Sequence, residues 1–162
     1  MMEAEFIQYL KNEKRYSQHT ILAYTKDIEE FKSFLSAQDV QSLLLASPQL
    51  VRAYIVFKME QGLEPSSVSR KLSSLRSLYK FGIKKSCIKI DPMRVVKAPK
   101  MSKRLPVFVE ESKLVSLLDS EEVFPLNFEG RRDHLIIELL FGTGIRLSEL
   151  LQLKLSDVDS FN

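Results

Sequence analysis

A mainly α-helical chain is predicted, a four-helix bundle followed by the mostly helical start of an α+β domain, and three observations carry the prediction. Apolar residues recur at helical spacing through the first 85 residues, with cap residues between the runs. The stretch 86–105 then loses that periodicity and holds Pro92, Pro99 and many Lys/Arg, the composition of a linker. Beyond it, one long apolar run ends at Gly142-Thr143-Gly144 and is followed by a short alternating pattern. The expected division is therefore 1–85, 86–105 and 106–162.

Residues 3–13 carry Phe6, Ile7, Tyr9 and Leu10 at helical spacing. Ser17 reads as the N-cap of a longer helix with Ile21, Tyr24, Ile28, Phe31 and Leu35 on one stripe. After a loop through Asp39, Ser47-Pro48 places a cap before a proline at the first helical position. Val51, Tyr54, Ile55 and Met59 follow until Gly62 ends the helix. A fourth helix is expected to open at Ser66 or Ser67 and run to about Lys84, with Val68, Leu72, Leu75, Tyr79 and Ile83 on its inner side. In the second part, Glu110 and Glu111 suit the positive end of a helix over 111–118. Phe128–Phe141 is apolar almost all round, which predicts a buried central helix. Arg146–Leu151 fits a short helix, and Leu153-Lys154-Leu155 suggests the start of a strand.

Composition excludes several classes. The chain has 162 residues, 44% of them hydrophobic and 28% charged, the balance of a globular protein rather than a disordered one. Its single Cys87, with only His19 and His134 beside it, makes no intramolecular disulfide and no ordinary structural zinc site, so no metal and no cofactor are expected. No apolar run of about 18 residues occurs, and the first residues lack the features of a signal peptide, so the chain reads as cytoplasmic with no membrane partner.

The net charge of +3 conceals a strong asymmetry: residues 1–105 hold 19 basic and 10 acidic residues, and residues 106–162 hold 5 and 11. Within 66–104 there are twelve Lys/Arg and one acid, Asp91. Such a one-signed stretch attracts polyanions, although a solvated basic surface would give the same count. At 100° per residue, Arg70, Ser73, Ser74, Ser77, Lys80 and Lys84 fall opposite the apolar arc of the fourth helix. A merely solvated helix intersperses acids, yet none occurs between Ser66 and Ile90. Small hydroxyls and cations on one helical face suit phosphates and base edges in a DNA groove, so double-stranded DNA is the expected partner. The expected contacts are Arg70, Lys71, Ser73, Ser74, Ser77, Lys80 and Lys84, joined by Lys103 and Arg104 from the linker. Arg76 lies at the edge of the arc, where packing along the bundle is the other option.

Arg146 follows Gly-Thr-Gly at the start of a short helix, where a guanidinium fork suits the non-bridging oxygens of a phosphodiester. Spacing alone favours a plain surface pair with Glu149 or Glu138. The run Arg132-Asp133-His134-Leu135-Ile136-Ile137-Glu138-Leu139-Leu140-Phe141-Gly142-Thr143-Gly144-Ile145-Arg146-Leu147-Ser148-Glu149-Leu150 resembles the first catalytic-arginine box of the tyrosine recombinases, the integrase and Xer-type family. Upstream, Ser17-x-x-Thr20-x-x-x-Tyr24-x-x-Asp27-x-x-x-Phe31 and Arg70-x-Leu72-Ser73-Ser74-Leu75-Arg76-x-x-Tyr79-x-Phe81 resemble that family's SAM-like core-binding domain.

The resemblance implies a DNA clamp over 1–85, a basic linker, and the truncated N-terminal part of a catalytic domain over 106–162. It implies Arg146 as the first catalytic arginine and Glu149 as its supporting acid, in an enzyme that cleaves and rejoins DNA through a 3′-phosphotyrosyl intermediate without a metal. Other recombinase protomers on DNA would be partners of the full-length protein. The family's lysine hairpin, His-x-x-Arg box and nucleophile lie downstream of this box. Tyr9, Tyr16, Tyr24, Tyr54 and Tyr79 all precede Arg146, and His134 matches no catalytic histidine of the family. The chain is therefore expected to bind DNA without recombining it. Two other readings stay open: a non-enzymatic DNA-binding regulator that keeps the clamp, and a helical module that meets an acidic protein.

Overall fold

The computed structural model describes residues 2–100, 108–120 and 122–158. The chain forms two compact units, Met1–Lys103 and Arg104–Asn162.

The first unit contains α1 (Met2–Asn12), α2 (Gln18–Ser36), α3 (Pro48–Glu60) and α4 (Pro65–Lys84), with a 3₁₀ turn at Leu43–Leu45. Ser17 caps α2 by accepting a hydrogen bond from the Thr20 amide, and Ser47 caps α3 by accepting from the Leu50 amide ahead of Pro48. Both caps satisfy amides that the first helical turn leaves without partners. The fourth helix opens earlier than expected: Pro65, not Ser66 or Ser67, is its first residue, because the fixed φ of proline already suits that position. Phe6, Leu10, Ile28, Phe31, Leu35, Val51, Tyr54, Val68, Leu72, Leu75, Leu78 and Tyr79 form a continuous core. The α2–α4 pair is central, with α1 and α3 packed against both helices.

Two expectations for this unit need correction. Ile83 is 39% exposed, whereas Leu78 and Phe81 are buried, so the inner arc of α4 is wider than the sequence stripe and turned toward Phe81. Nor is 86–105 a free linker throughout. Met93 and Val96 bury against the bundle, and Cys87, Ile88 and Ala98 pack beside them. Arg52 and Arg76 donate to the Val95 and Val96 carbonyls at 3.4 and 3.2 Å, which fastens this return segment to α3 and α4. Arg76 thus packs along the bundle. The expected contacts Lys103 and Arg104 lie outside the described residues.

The second unit contains α5 (Glu111–Leu118), α6 (Phe128–Thr143), α7 (Leu147–Leu150) and a 3₁₀ turn at Leu155–Asp157. Asn127 caps α6 by accepting from the Gly130 amide at 2.8 Å, and a Cβ at Gly130 would collide with the Pro125 carbonyl oxygen. His134 Nε2 donates to the Leu118 carbonyl at 3.1 Å, and its ring meets Phe124 edge-on, which ties α6 to α5. Gly144 ends α6 at φ +64, the left-handed cap that glycine adopts without strain.

The expectation of a buried α6 fails: Gly130 is its only buried residue among those described, and Phe128, Leu135 and Phe141 are exposed. Among the described residues α5 and α7 supply its main packing within this unit, too little surface to cover a helix that is apolar all round. The expected strand at 153–155 is also absent. The Lys154 amide donates to the Asp157 carboxylate at 3.0 Å, closing a 3₁₀ turn where no strand among the described residues offers a ladder.

Candidate nucleic-acid interface

The outer arc of α4 carries the candidate site. Ser73, Lys80 and Lys84 are exposed and Ser77 is half-buried, and the helix contains no acid to offset them. Lys80 and Lys84 have no ion pair among the described residues. Their charges therefore remain available to an anion in solution.

Three of the expected contacts behave differently. Asp27 on α2 is 1% exposed, and α4 surrounds it with donors. Arg70 gives two hydrogen bonds, 2.8 and 3.0 Å, to its two carboxylate oxygens, Lys71 gives one at 3.1 Å, and Ser74 gives one at 2.8 Å. Lys71 also reaches Glu30 at 2.9 Å, where Lys58 joins at 3.2 Å. Ser74 and Lys71 are buried by this network, so the placement of Ser74 on the outer arc is wrong and neither side chain faces solvent. The cause is a paired acid: a buried carboxylate needs donors on every free lone pair, and α4 supplies them. Arg70 remains 54% exposed while holding Asp27, so it lies at the rim of the arc with its charge largely offset.

Burial acts to raise the Asp27 carboxyl, but the hydrogen bonds from Arg70, Ser74 and Lys71 outweigh it and hold the group below the usual carboxylate range. Glu30 follows the same pattern: burial is opposed by hydrogen bonds from Lys71 and Lys58, and the carboxyl is lowered. The sequence held a signal for this network. Asp27 sits among the apolar residues Tyr24, Ile28 and Phe31, and Lys71 sits among Val68, Leu72 and Leu75. Charges set into two facing stripes are best explained by each other.

Arg146 in the second unit precedes α7. Its backbone amide and Nη1 donate to the two oxygens of Glu149 at 2.9 and 2.8 Å, and the Arg146 side chain is 80% exposed. The amide first, then the guanidinium, holds the Glu149 carboxyl below its usual range. The surface pair with Glu149 is thus the one formed, while Glu138 lies 3.6 Å from His134. Tyr54 and Tyr79 are buried in the bundle, and burial raises both phenols. Among the described residues no cluster of three or more His, Cys, Asp or Glu is placed to hold a metal ion, and no helix is long and apolar enough to cross a membrane.

A helical platform with a basic, acid-free outer arc, ahead of a unit bearing a Gly-Thr-Gly-x-Arg turn, defines a class that known proteins share. Residues 4–86 match the family described as phage integrase, N-terminal SAM-like domain. The chain belongs to that family, among the tyrosine recombinases. It is similar to the tyrosine recombinase XerC of Bacillus subtilis (strain 168), 38% identical over 156 residues, covering 96% of this chain and 51% of that protein. The XerC of Bacillus pumilus (strain SAFR-032) is 43% identical over 155 residues, with 95% and 50% covered. The chain spans about half the length of these curated relatives. The fold resembles that of the Tn1549 transposon integrase, solved in complex with a circular intermediate DNA, at a TM-score of 0.68 and 17% identity, over 98% of this chain and 49% of that one.

Proposed function

We propose that this chain binds duplex DNA through the outer arc of α4, with Ser73, Ser77, Lys80 and Lys84 as its contacts and Arg70 at the rim. The observation that carries this reading is the absence of any acid on that arc: Ser73, Lys80 and Lys84 face solvent on one long helix with Ser77 half-buried between them, and the nearby acids Asp27 and Glu30 are paired with cations of the bundle. A helix narrowed by serines approaches a groove closely, and its lysines then meet the flanking phosphates. Lys71 and Ser74 serve instead to hold α4 on α2.

The corresponding role for the longer protein is site-specific DNA cleavage and rejoining, assembled with further protomers on the DNA. In that reaction Arg146 would neutralise a non-bridging phosphate oxygen, with Glu149 holding the guanidinium until DNA arrives. A labelled duplex tests the DNA-binding reading by fluorescence anisotropy. Affinity is expected to fall steeply between low and physiological salt as phosphate contacts release counterions. The Lys80→Ala/Lys84→Ala double variant should bind weakly with unchanged helicity. A salt-independent response, or wild-type binding by the double variant, would remove α4 as the interface.

A further inference from the structure

Beside the outer arc of α4 lies a cavity of about 280 Å³ whose charged lining is cationic throughout. It opens between the C-terminal end of α1 and the C-terminal half of α4. Phe6, Tyr9 and Phe81 build its floor, with ring centroids 5.0 Å apart for Tyr9–Phe81 and 5.5 Å for Phe6–Phe81. Three ammonium groups line it: Lys14, from the turn after α1, and Lys80 and Lys84 of α4. Lys14 and Lys84 both lie over the same Tyr9 ring, at 5.9 and 5.4 Å from its centroid. Each cation is drawn to the ring's π-electrons, which holds both ammonium groups beside the cavity.

Elsewhere on this bundle, Lys32, Lys58 and Lys71 each meet an acid across a helix pair. At this cavity none of the three lysines does so among the described residues. Two hydroxyls, of Tyr16 and Ser77, line the same space and make no hydrogen bond among the described residues. Gathered like charges with hydroxyl donors beside them and no acid in the lining describe a surface that attracts an anion. At roughly 30 Å³ per water, the cavity accommodates a phosphate group with part of its hydration.

We infer that this cavity seats one phosphodiester group of bound DNA, held by Lys14, Lys80 and Lys84 with the Tyr16 and Ser77 hydroxyls as further donors. The inference rests on the α4 reading above, because Lys80, Lys84 and Ser77 are shared between the arc and the cavity. It adds Lys14 and Tyr16, which belong to the connection between α1 and α2 and not to the recognition helix. The seat fixes where α4 sits along the backbone, a positioning role that carries no base preference of its own.

The test replaces Lys14, which is exposed and outside the buried core, its side chain touching the bundle through the Tyr9 ring, so the fold stays intact. Binding of a labelled duplex is measured against salt for the 162-residue wild type, Lys14→Gln and Lys14→Arg. Loss of one of the three cations that share the seated phosphate lowers the slope of log affinity against log salt by up to about 0.9, so the drop between 50 and 200 mM salt becomes up to about 3.5-fold smaller. Lys14→Arg should restore the wild-type slope. In a second arm without DNA, inorganic phosphate is titrated while the ring resonances of Tyr9 and Tyr16 are followed by NMR. Saturable shifts that Lys14→Gln abolishes are expected.

Duplex binding with a slope that Lys14→Gln leaves unchanged overturns the seat and leaves the α4 reading standing. Phosphate-dependent ring shifts combined with that unchanged slope would assign the cavity to free phosphate and overturn its place in DNA binding. Failure of the wild type to bind duplex at all overturns the α4 reading. The phosphate titration then decides by itself whether the cavity is an anion site.

Discussion

Asp27→Ala should be among the most damaging single substitutions in the first unit, although it removes an acid from a basic protein. The carboxylate is 1% exposed and accepts four hydrogen bonds from three side chains of α4. Arg70, more than half exposed, recovers water and loses little. Ser74 is buried and loses its only acceptor, at a cost of about 1 kcal/mol. Lys71 keeps Glu30 but loses its closer-buried partner. Removing one member of a buried charge pair costs about 3–5 kcal/mol, and the surviving Glu30 places this case near the lower end, about 3 kcal/mol. For a unit of about 100 residues that corresponds to roughly 12–24 °C in melting temperature. The sign with pH follows from the lowered carboxyls. A group whose acidity is strengthened by folding contributes above its unfolded value, near about pH 4, and that contribution is lost as pH falls through the lowered folded value. Wild-type stability should therefore decline below about pH 4, and Asp27→Ala should decline less over the same range. Thermal melts followed by far-UV circular dichroism at several pH values read both effects. A drop under about 4 °C at neutral pH, or parallel acid curves for the two proteins, would show that the network does not hold α2 to α4.

Tyr54 buries a hydroxyl with no hydrogen-bond partner among the described residues, so Tyr54→Phe should leave stability unchanged or raise it by up to about 1 kcal/mol; a clear loss in urea unfolding would reveal a partner for that oxygen. Leu75 is fully buried on α4, and Leu75→Ala should cost about 2–5 kcal/mol, with an unshifted calorimetric transition counting against the packing described.

The bundle was legible because its signals are local. Ser17 and Ser47-Pro48 announce two helix starts, and Phe6, Leu10, Ile28, Phe31, Leu35, Leu72 and Leu75 bury where their spacing places them. What escaped the sequence depends on partners distant along the chain. Ser74 looks like a surface serine until Asp27, 47 residues away, accepts its hydrogen bond. Lys71 and Arg70 read as one basic pair, yet one is buried and the other is at the rim. The return segment around Met93 and Val96 lacks periodicity because it packs as irregular chain, held by two arginines from other helices. In the second unit the apolar composition of α6 predicts a buried helix, but α5 and α7 do not offer the surface that would bury it. Lys14 and Tyr16 could not be found from charge runs, since the cavity that joins them to α4 exists only once α1 folds back on it.

The central position of α4 has a consequence for motion. It buries nine residues and packs against all three other helices of its unit, so its amides open only when the whole bundle opens, and their hydrogen exchange should be the slowest in the unit. Local excursions are left to the ends of α1 and to the connections. A helix held this firmly presents Ser73, Ser77, Lys80 and Lys84 on a fixed backbone, so that ordering on contact with a ligand is confined to side chains. The low-entropy part of recognition is thereby completed during folding, before any partner arrives.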